Sequence, residues 1–143
     1  MKDFNVGYAN DLLIFGVDSR RENSTRTLPS KYMSILLVKR DKEPDQGKWS
    51  LPGGFIESDE TSRDASVRVL EKETGLKDVY MQQIVVNDDV ERDSRGRVIS
   101  STYMALVDRT IIKQELKENA AWFDIYINEE KDLYHVTLKN NIE

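Results

Sequence analysis

Acidic side chains crowd one stretch of the chain. Glu57, Asp59, Glu60, Asp64, Glu71 and Glu73 follow the paired glycines Gly53 and Gly54 and precede Gly75. A strand or loop ending in two glycines, then a helix rich in acids, can bring backbone carbonyls and carboxylates to one point. That is a suitable oxygen shell for magnesium on a diphosphate; the alternative is a solvated acidic helix. A second constellation, Arg92-Asp93-Ser94-Arg95-Gly96-Arg97, packs three arginines into six residues. Guanidinium forks suit diphosphate oxygens. The alternative there is a solvated hairpin loop whose cations balance Asp88, Asp89, Glu91 and Asp93, and on the residues alone it has the better odds.

Composition narrows the chemistry further. The 143 residues carry 21 Lys plus Arg against 26 Asp plus Glu, a net charge of −5, with no cysteine and one histidine. Disulfides, thiolate metal sites and a cysteine nucleophile are excluded, and a multi-histidine metal site cannot be built. Any metal must be held by oxygen. The acidic balance and the lack of a long basic tract argue against binding nucleic acid through bulk charge. No signal-peptide pattern opens the chain and no apolar run approaches the roughly 20 residues of a membrane span, so a cytoplasmic protein is expected.

The elements that must position these residues follow from the hydropathy pattern. Asp11 to Val17 and Tyr32 to Val38 read as neighbouring buried strands, separated by a polar loop over Ser19 to Lys31. Asp41 to Ser50 reads as a second loop. A helix is expected from about Asp59 to Glu73, capped by Ser58 or Asp59 and stopped by Gly75. Val79 to Val86 and Val98 to Val107 read as a hairpin with a long loop. Ile111 to Glu118 is expected as a short helix, then Trp122 to Ile127 and Leu133 to Leu138 as strands. Phe15 and Tyr103 read as core, and His135 as a surface or interface residue. The length bounds one domain over residues 1–143. A mixed sheet needs cover on both faces, yet one strong helix is present and the chain stops straight after a strand. The reading therefore favours the N-terminal part of a longer protein over a complete small domain whose second face is covered by a short helix or a partner.

The stretch from Gly54 to Leu76 resembles the Nudix box, G-x5-E-x7-R-E-U-x-E-E-x-G-U with U aliphatic. It keeps Gly54, Glu60, Arg68, Leu70, Glu73, Gly75 and Leu76 at the family spacing. Leu36 to Arg40, Gly47 to Gly54 and Ala120-Ala121-Trp122-Phe123 resemble the same superfamily, so the likeness spans most of the chain. It implies an α/β fold, a mixed β-sheet sandwiched between helices, and metal-assisted attack of water on a nucleoside diphosphate linked to a further group. Two departures stand out. Val69 replaces the glutamate after the arginine, and Lys72 replaces the first glutamate of the pair. Residues 69, 72 and 73 are spaced to share one helical face, which in the family holds the divalent cation. Here that face offers Glu73 beside an aliphatic group and an ammonium, a change of about three charge units. Glu57, Glu60 and Glu71 remain as partial substitutes, although Glu71 points roughly 100° round the helix from Lys72.

The resemblance thus implies catalytic candidates Glu73, Glu60 and Arg68, with Glu73 the one metal ligand left and Mg2+ binding weakened. Candidate ligand-binding residues are Arg40, Trp49, Gly53, Gly54, Lys72, Arg92, Arg95 and Arg97. Lys72 would either pair with Glu73 or touch a ligand phosphate directly. Trp49 would either stack on a base or pack under the glycine turn. The arginine run resembles that of Nudix proteins handling ADP-ribose, particularly Nudix-like transcriptional regulators that carry a winged helix after this domain. An ADP-ribose-like ligand, a homodimer, and DNA contact only through a C-terminal domain absent from this chain are the partners implied. The competing expectation is a working magnesium-dependent hydrolase; the third is an interaction domain that has lost ligand and metal.

Overall fold

The sheet is built around a strand that neighbours claim along its whole length. The computed structural model describes residues 5–20, 30–130 and 133–140. Strand β1 (Gly7–Arg20) pairs antiparallel with β2 (Ser30–Lys39) at Phe15 and Ile35, and parallel with β6 (Val98–Asp108) from Gly7 to Val17. It also pairs antiparallel with the short β4 (Gly53–Phe55), Asn10 opposite Gly54 and Asp11 opposite Gly53. The two-residue β3 (Trp49–Ser50) pairs with β2. With β5 (Gln82–Asn87), β7 (Ala120–Glu130) and β8 (Leu133–Asn140), the order across the mixed sheet is β5-β6-β1-β2-β7-β8. The expected strands are present, with β1 and β2 longer at both ends than their apolar runs. Of the loop expected between them, residues 21–29 lie outside the described residues, as does the side chain of His135.

Alternation sorts the side chains of each strand between two faces. Leu12 and Ile14 of β1, Leu36 and Val38 of β2, and Tyr103, Ala105 and Val107 of β6 form the larger core cluster. Against it lies helix α1 (Ser62–Thr74), burying Ala65, Val69, Leu70 and Thr74. On the other face Ile35, Leu37, Ala121 and Phe123 make a smaller cluster with Leu13 and Phe15 packed on it. Toward its margins Leu106 and Ile127 are about two-thirds exposed, at 66% and 65%. The expected α/β architecture is present; of its helical layers the described residues contain one, α1.

Residues 111–118 do not form the expected helix. Eight residues are too few to nucleate one unaided, and the segment finds other partners. Ile112 and Leu116 pack on the larger cluster, while the Lys117 amide donates to the Thr74 carbonyl at the end of α1. No helix among the described residues is long and apolar enough to cross a membrane.

Candidate functional site

Helix α1 starts later than the acids suggest: its N-cap is Thr61, not Ser58 or Asp59. The Thr61 hydroxyl accepts from the Asp64 amide at 3.1 Å, and the Asp64 carboxylate accepts from the Thr61 amide at 3.3 Å, a reciprocal capping box. Residues 57–60 are held otherwise. The Glu60 carboxylate accepts the Glu57 amide at 2.9 Å and a two-pronged contact from Arg68, at 2.9 Å from Nε and 2.5 Å from Nη2. Arg68 Nη2 also reaches the Phe55 carbonyl at 2.9 Å. The hydrogen bonds from Arg68, then from the Glu57 amide, lower the Glu60 carboxyl to about 2. Arg68 and Glu60 thereby tie the glycine strand, the turn and the helix into one unit.

A partly buried polar knot fixes the same helix to the sheet. Asn10 Nδ2 donates to the Ser62 carbonyl at 2.6 Å, the Ser62 hydroxyl donates to Asn10 Oδ1 at 3.0 Å, and the Tyr103 hydroxyl meets Ser62 Oγ at 3.0 Å. These positioning residues escaped sequence reasoning, and Tyr103, expected only as core, has a polar task as well. The one available signal was Asn10, a polar residue leading into an apolar run.

Between this unit and the loop after β2 lies a cleft of about 660 Å³. Of the candidate residues it gathers Arg40, Gly53, Gly54, Lys72, Glu73, Arg92 and Arg95 along its wall. Gly53 and Gly54 are needed for close approach. A Cβ on Gly53 would stand 2.8 Å from the Asn10 carbonyl oxygen, and one on Gly54 would stand 3.1 Å from Val69 Cγ2. Val69 is therefore more than a missing acid. It is 2% exposed, part of the larger core cluster, and seats the glycine strand from beneath. Lys72 is exposed, and among the described residues its ammonium has neither a hydrogen bond nor an ion pair, so the expected alternative of a direct Lys72–Glu73 pair is not the one formed. Glu73 is half-buried; desolvation raises its pKa, and the nearby Lys72 charge partly opposes that.

The arginine run divides its labour. Arg92 points Nη2 at Asp11 Oδ2, 3.4 Å away, and the Ser100 hydroxyl donates to that same oxygen at 2.5 Å. Arg95 grips Asp93 through Nε at 2.9 Å and Nη2 at 2.7 Å, and lies 5.2 Å from the centroid of the half-exposed Phe55 ring. Arg97 turns away from the cleft and donates to the Asp88 carbonyl at 2.6 Å, closing the base of the hairpin loop. Trp49 also lies off the cleft wall. Its ring meets Phe123 edge-on at 4.9 Å on the second face of the sheet, because β3 pairs with β2 and carries it there. On the opposite wall Arg40 Nε donates to the Pro44 carbonyl at 2.6 Å, holding the loop folded.

A divalent cation does not fit this donor set. Among the described residues no three Asp, Glu or His side chains gather closely enough to hold one. Glu60 is committed to Arg68, and Glu71 pairs with Lys77 at 3.0 Å on the outer side of α1. Of the acids on α1, Glu73 remains on the cleft wall, beside an ammonium.

Known proteins resemble the chain over most of its length. A family model described as NUDIX domain matches residues 24–134. The ADPR responsive transcriptional repressor NtrR of Acinetobacter baylyi is 29% identical over 116 residues, covering 78% of this chain and 42% of its own. The ADP-ribose pyrophosphatase of Methanocaldococcus jannaschii is 38% identical over 96 residues, covering 64% and 54%. The chain thus spans about half the length of each relative. Among solved structures, the NUDIX domain of Shewanella oneidensis NrtR complexed with ADP ribose superposes with a TM-score of 0.63 at 25% identity, covering 80% of this chain and 70% of that one.

Proposed function

The chain belongs to the Nudix family, and from that premise we propose that it binds a nucleoside diphosphate derivative of the ADP-ribose type in the cleft, with impaired hydrolysis and a regulatory role. The observation that carries this reading is the box helix α1, where Val69, buried under Gly54, and Lys72, exposed on the cleft wall beside Glu73, stand at two of the family's acid positions. Without a shell of carboxylates, Mg2+ is held weakly, and a water poised to attack phosphorus lacks the charge that would activate it. Arg40 and Arg92 on the cleft wall still offer guanidinium groups to a diphosphate, while Arg95 is held on Asp93. The relatives support the ligand class, since one is named for its response to ADPR and another is a complex with ADP ribose.

The regulatory part of the proposal is transcriptional: a cytoplasmic sensor, paired as a homodimer, that touches DNA through a further domain. The family likeness to the repressor supports it. Calorimetry with ADP-ribose, together with assay for Mg2+-dependent release of AMP and ribose phosphate, tests the proposal. Heat of binding without turnover is expected; turnover at ordinary enzyme rates overturns it in favour of a working hydrolase, the reading that the 38% identity to a pyrophosphatase favours.

A further inference from the structure

We propose that the Lys72 ammonium stands in for the divalent cation, so that the cleft takes a nucleoside diphosphate without any metal. The inference rests on the reading of the cleft as a diphosphate site and concerns how that site is charged.

Electrostatic bookkeeping at one helical face carries it. Three carboxylates at positions 69, 72 and 73 would give the wall a charge of about −3, or about −1 with a divalent cation seated. Here Lys72 and Glu73 line the cleft and give about 0 with nothing bound, while Val69 brings no charge from beneath the glycine strand. A diphosphate therefore meets this wall unloaded with no more repulsion than it would meet at a metal-loaded wall of acids. The ammonium is a compact point charge with three donors, suited to phosphate oxygens without fixed coordination geometry.

The surroundings favour that role. Lys72 lies in the last turn of α1, where the helix dipole stabilises a cation. Its backbone is fixed: Lys117 Nζ donates to the Lys72 carbonyl at 2.6 Å, and the Gly75 amide closes the helix on the Glu71 carbonyl at 2.9 Å. Gly75 adopts the left-handed φ of 85° that this closure requires. The side chain, by contrast, is not tied to any acid among the described residues, whereas Arg95 is spent on Asp93 and Arg68 on Glu60. Six cationic and five acidic side chains line the cleft, in a chain whose net charge is −5. Of these cations, Lys72 is the one on the wall where the family sets its metal.

The test titrates the full chain by calorimetry with ADP-ribose and with inorganic diphosphate, each in EDTA and in excess Mg2+. The expected result is a Kd for ADP-ribose that is the same within about twofold in both buffers. Lys72→Gln should weaken it roughly tenfold in either, the loss of one close charge contact at a partly solvated site. Lys72→Glu should abolish binding in EDTA and recover part of it in Mg2+. Because Lys72 is exposed, Lys72→Gln should melt close to the parent, and Lys72→Glu slightly below it, since it sets an anion in the last turn of α1. Binding by the parent that requires Mg2+, or an undiminished Lys72→Gln variant, overturns the metal substitution while leaving the ligand class standing. Diphosphate binding in EDTA that Lys72→Gln loses supports the substitution even if ADP-ribose itself gives no heat, in which case the nucleoside identity falls. Silence from both probes overturns both readings.

Discussion

Two sets of residues on one helix have been treated differently. The side that locks α1 to its loop keeps the family's residues, with Arg68 bonded to Glu60 and Phe55. The positions where the family sets its metal ligands hold Val69, turned into the core, and Lys72, on the cleft wall, in place of two of three acids. The architecture of a phosphate site and the chemistry performed in it are therefore separable, even within a single 13-residue helix. A chain can keep the shape of the box while changing what the box does.

The comparison can be broken most forcefully at Val69. Val69→Glu alone places a carboxylate in a site 2% exposed, and a loss of about 2–4 kcal/mol in denaturant unfolding is expected. Combined with Lys72→Glu, the same change should raise Mg2+ affinity and bring the protein back toward parental stability when the metal is present. No gain in metal affinity would mean that the missing acids are not what limits the site. Next in size is Arg68→Ala, which removes three hydrogen bonds at once. The melting temperature should drop by several degrees and ADP-ribose binding should fall with it, whereas Lys72→Gln should affect binding alone.

Acid titration sharpens the contrast, because the two sides have opposite signs. Glu60 is lowered from 4.5 to about 2, so its contribution to stability is complete above pH 4.5 and is lost as the pH falls toward 2. Glu73 is raised by burial. Its ionisation costs stability, a cost absent below pH 4.5 and growing as the pH rises through the raised value. In pH-dependent melting, Glu60→Gln should flatten the acid limb, and Glu73→Gln should give a small gain near neutral pH. The smallest effect is expected from Arg97→Ala. Losing one bond to the Asp88 carbonyl loosens the loop that presents Arg92 and Arg95, and a Kd raised about two- to fivefold by calorimetry would show it.

Local patterns made much of this legible. The buried strand centred on Leu12 and Ile14, the capped helix and its Gly75 stop follow from apolar runs and turn chemistry, and the box spacing located the altered acid positions. Three features stayed hidden because they depend on partners distant in sequence. Thr61, not Ser58 or Asp59, became the N-cap, while residues 57–60 are tied down through Glu60 and Arg68, eight residues further on. Residues 111–118 lost their helix to contacts with the core and the end of α1. Trp49, expected either on a base or packed under the glycine turn, is carried by β3 to the far face against Phe123, and Arg97, expected at the ligand, braces the hairpin. The burial of Val69 was equally invisible, since spacing placed it on a helical face but not under Gly54.

The cleft's glycine strand hangs from β1 through ordinary backbone bonds. The Leu12 amide donates to the Pro52 carbonyl and the Ile56 amide to the Tyr8 carbonyl, both at 2.9 Å. The middle of that same strand is the centre of the core, where Leu12 and Ile14 are wholly buried. Isotope exchange at these amides should then need an opening that also frees the core, and proceed as slowly as exchange at Ile14. A ligand arriving in the cleft would find its backbone cradle already as rigid as the protein can make it, so that little ordering remains to oppose binding.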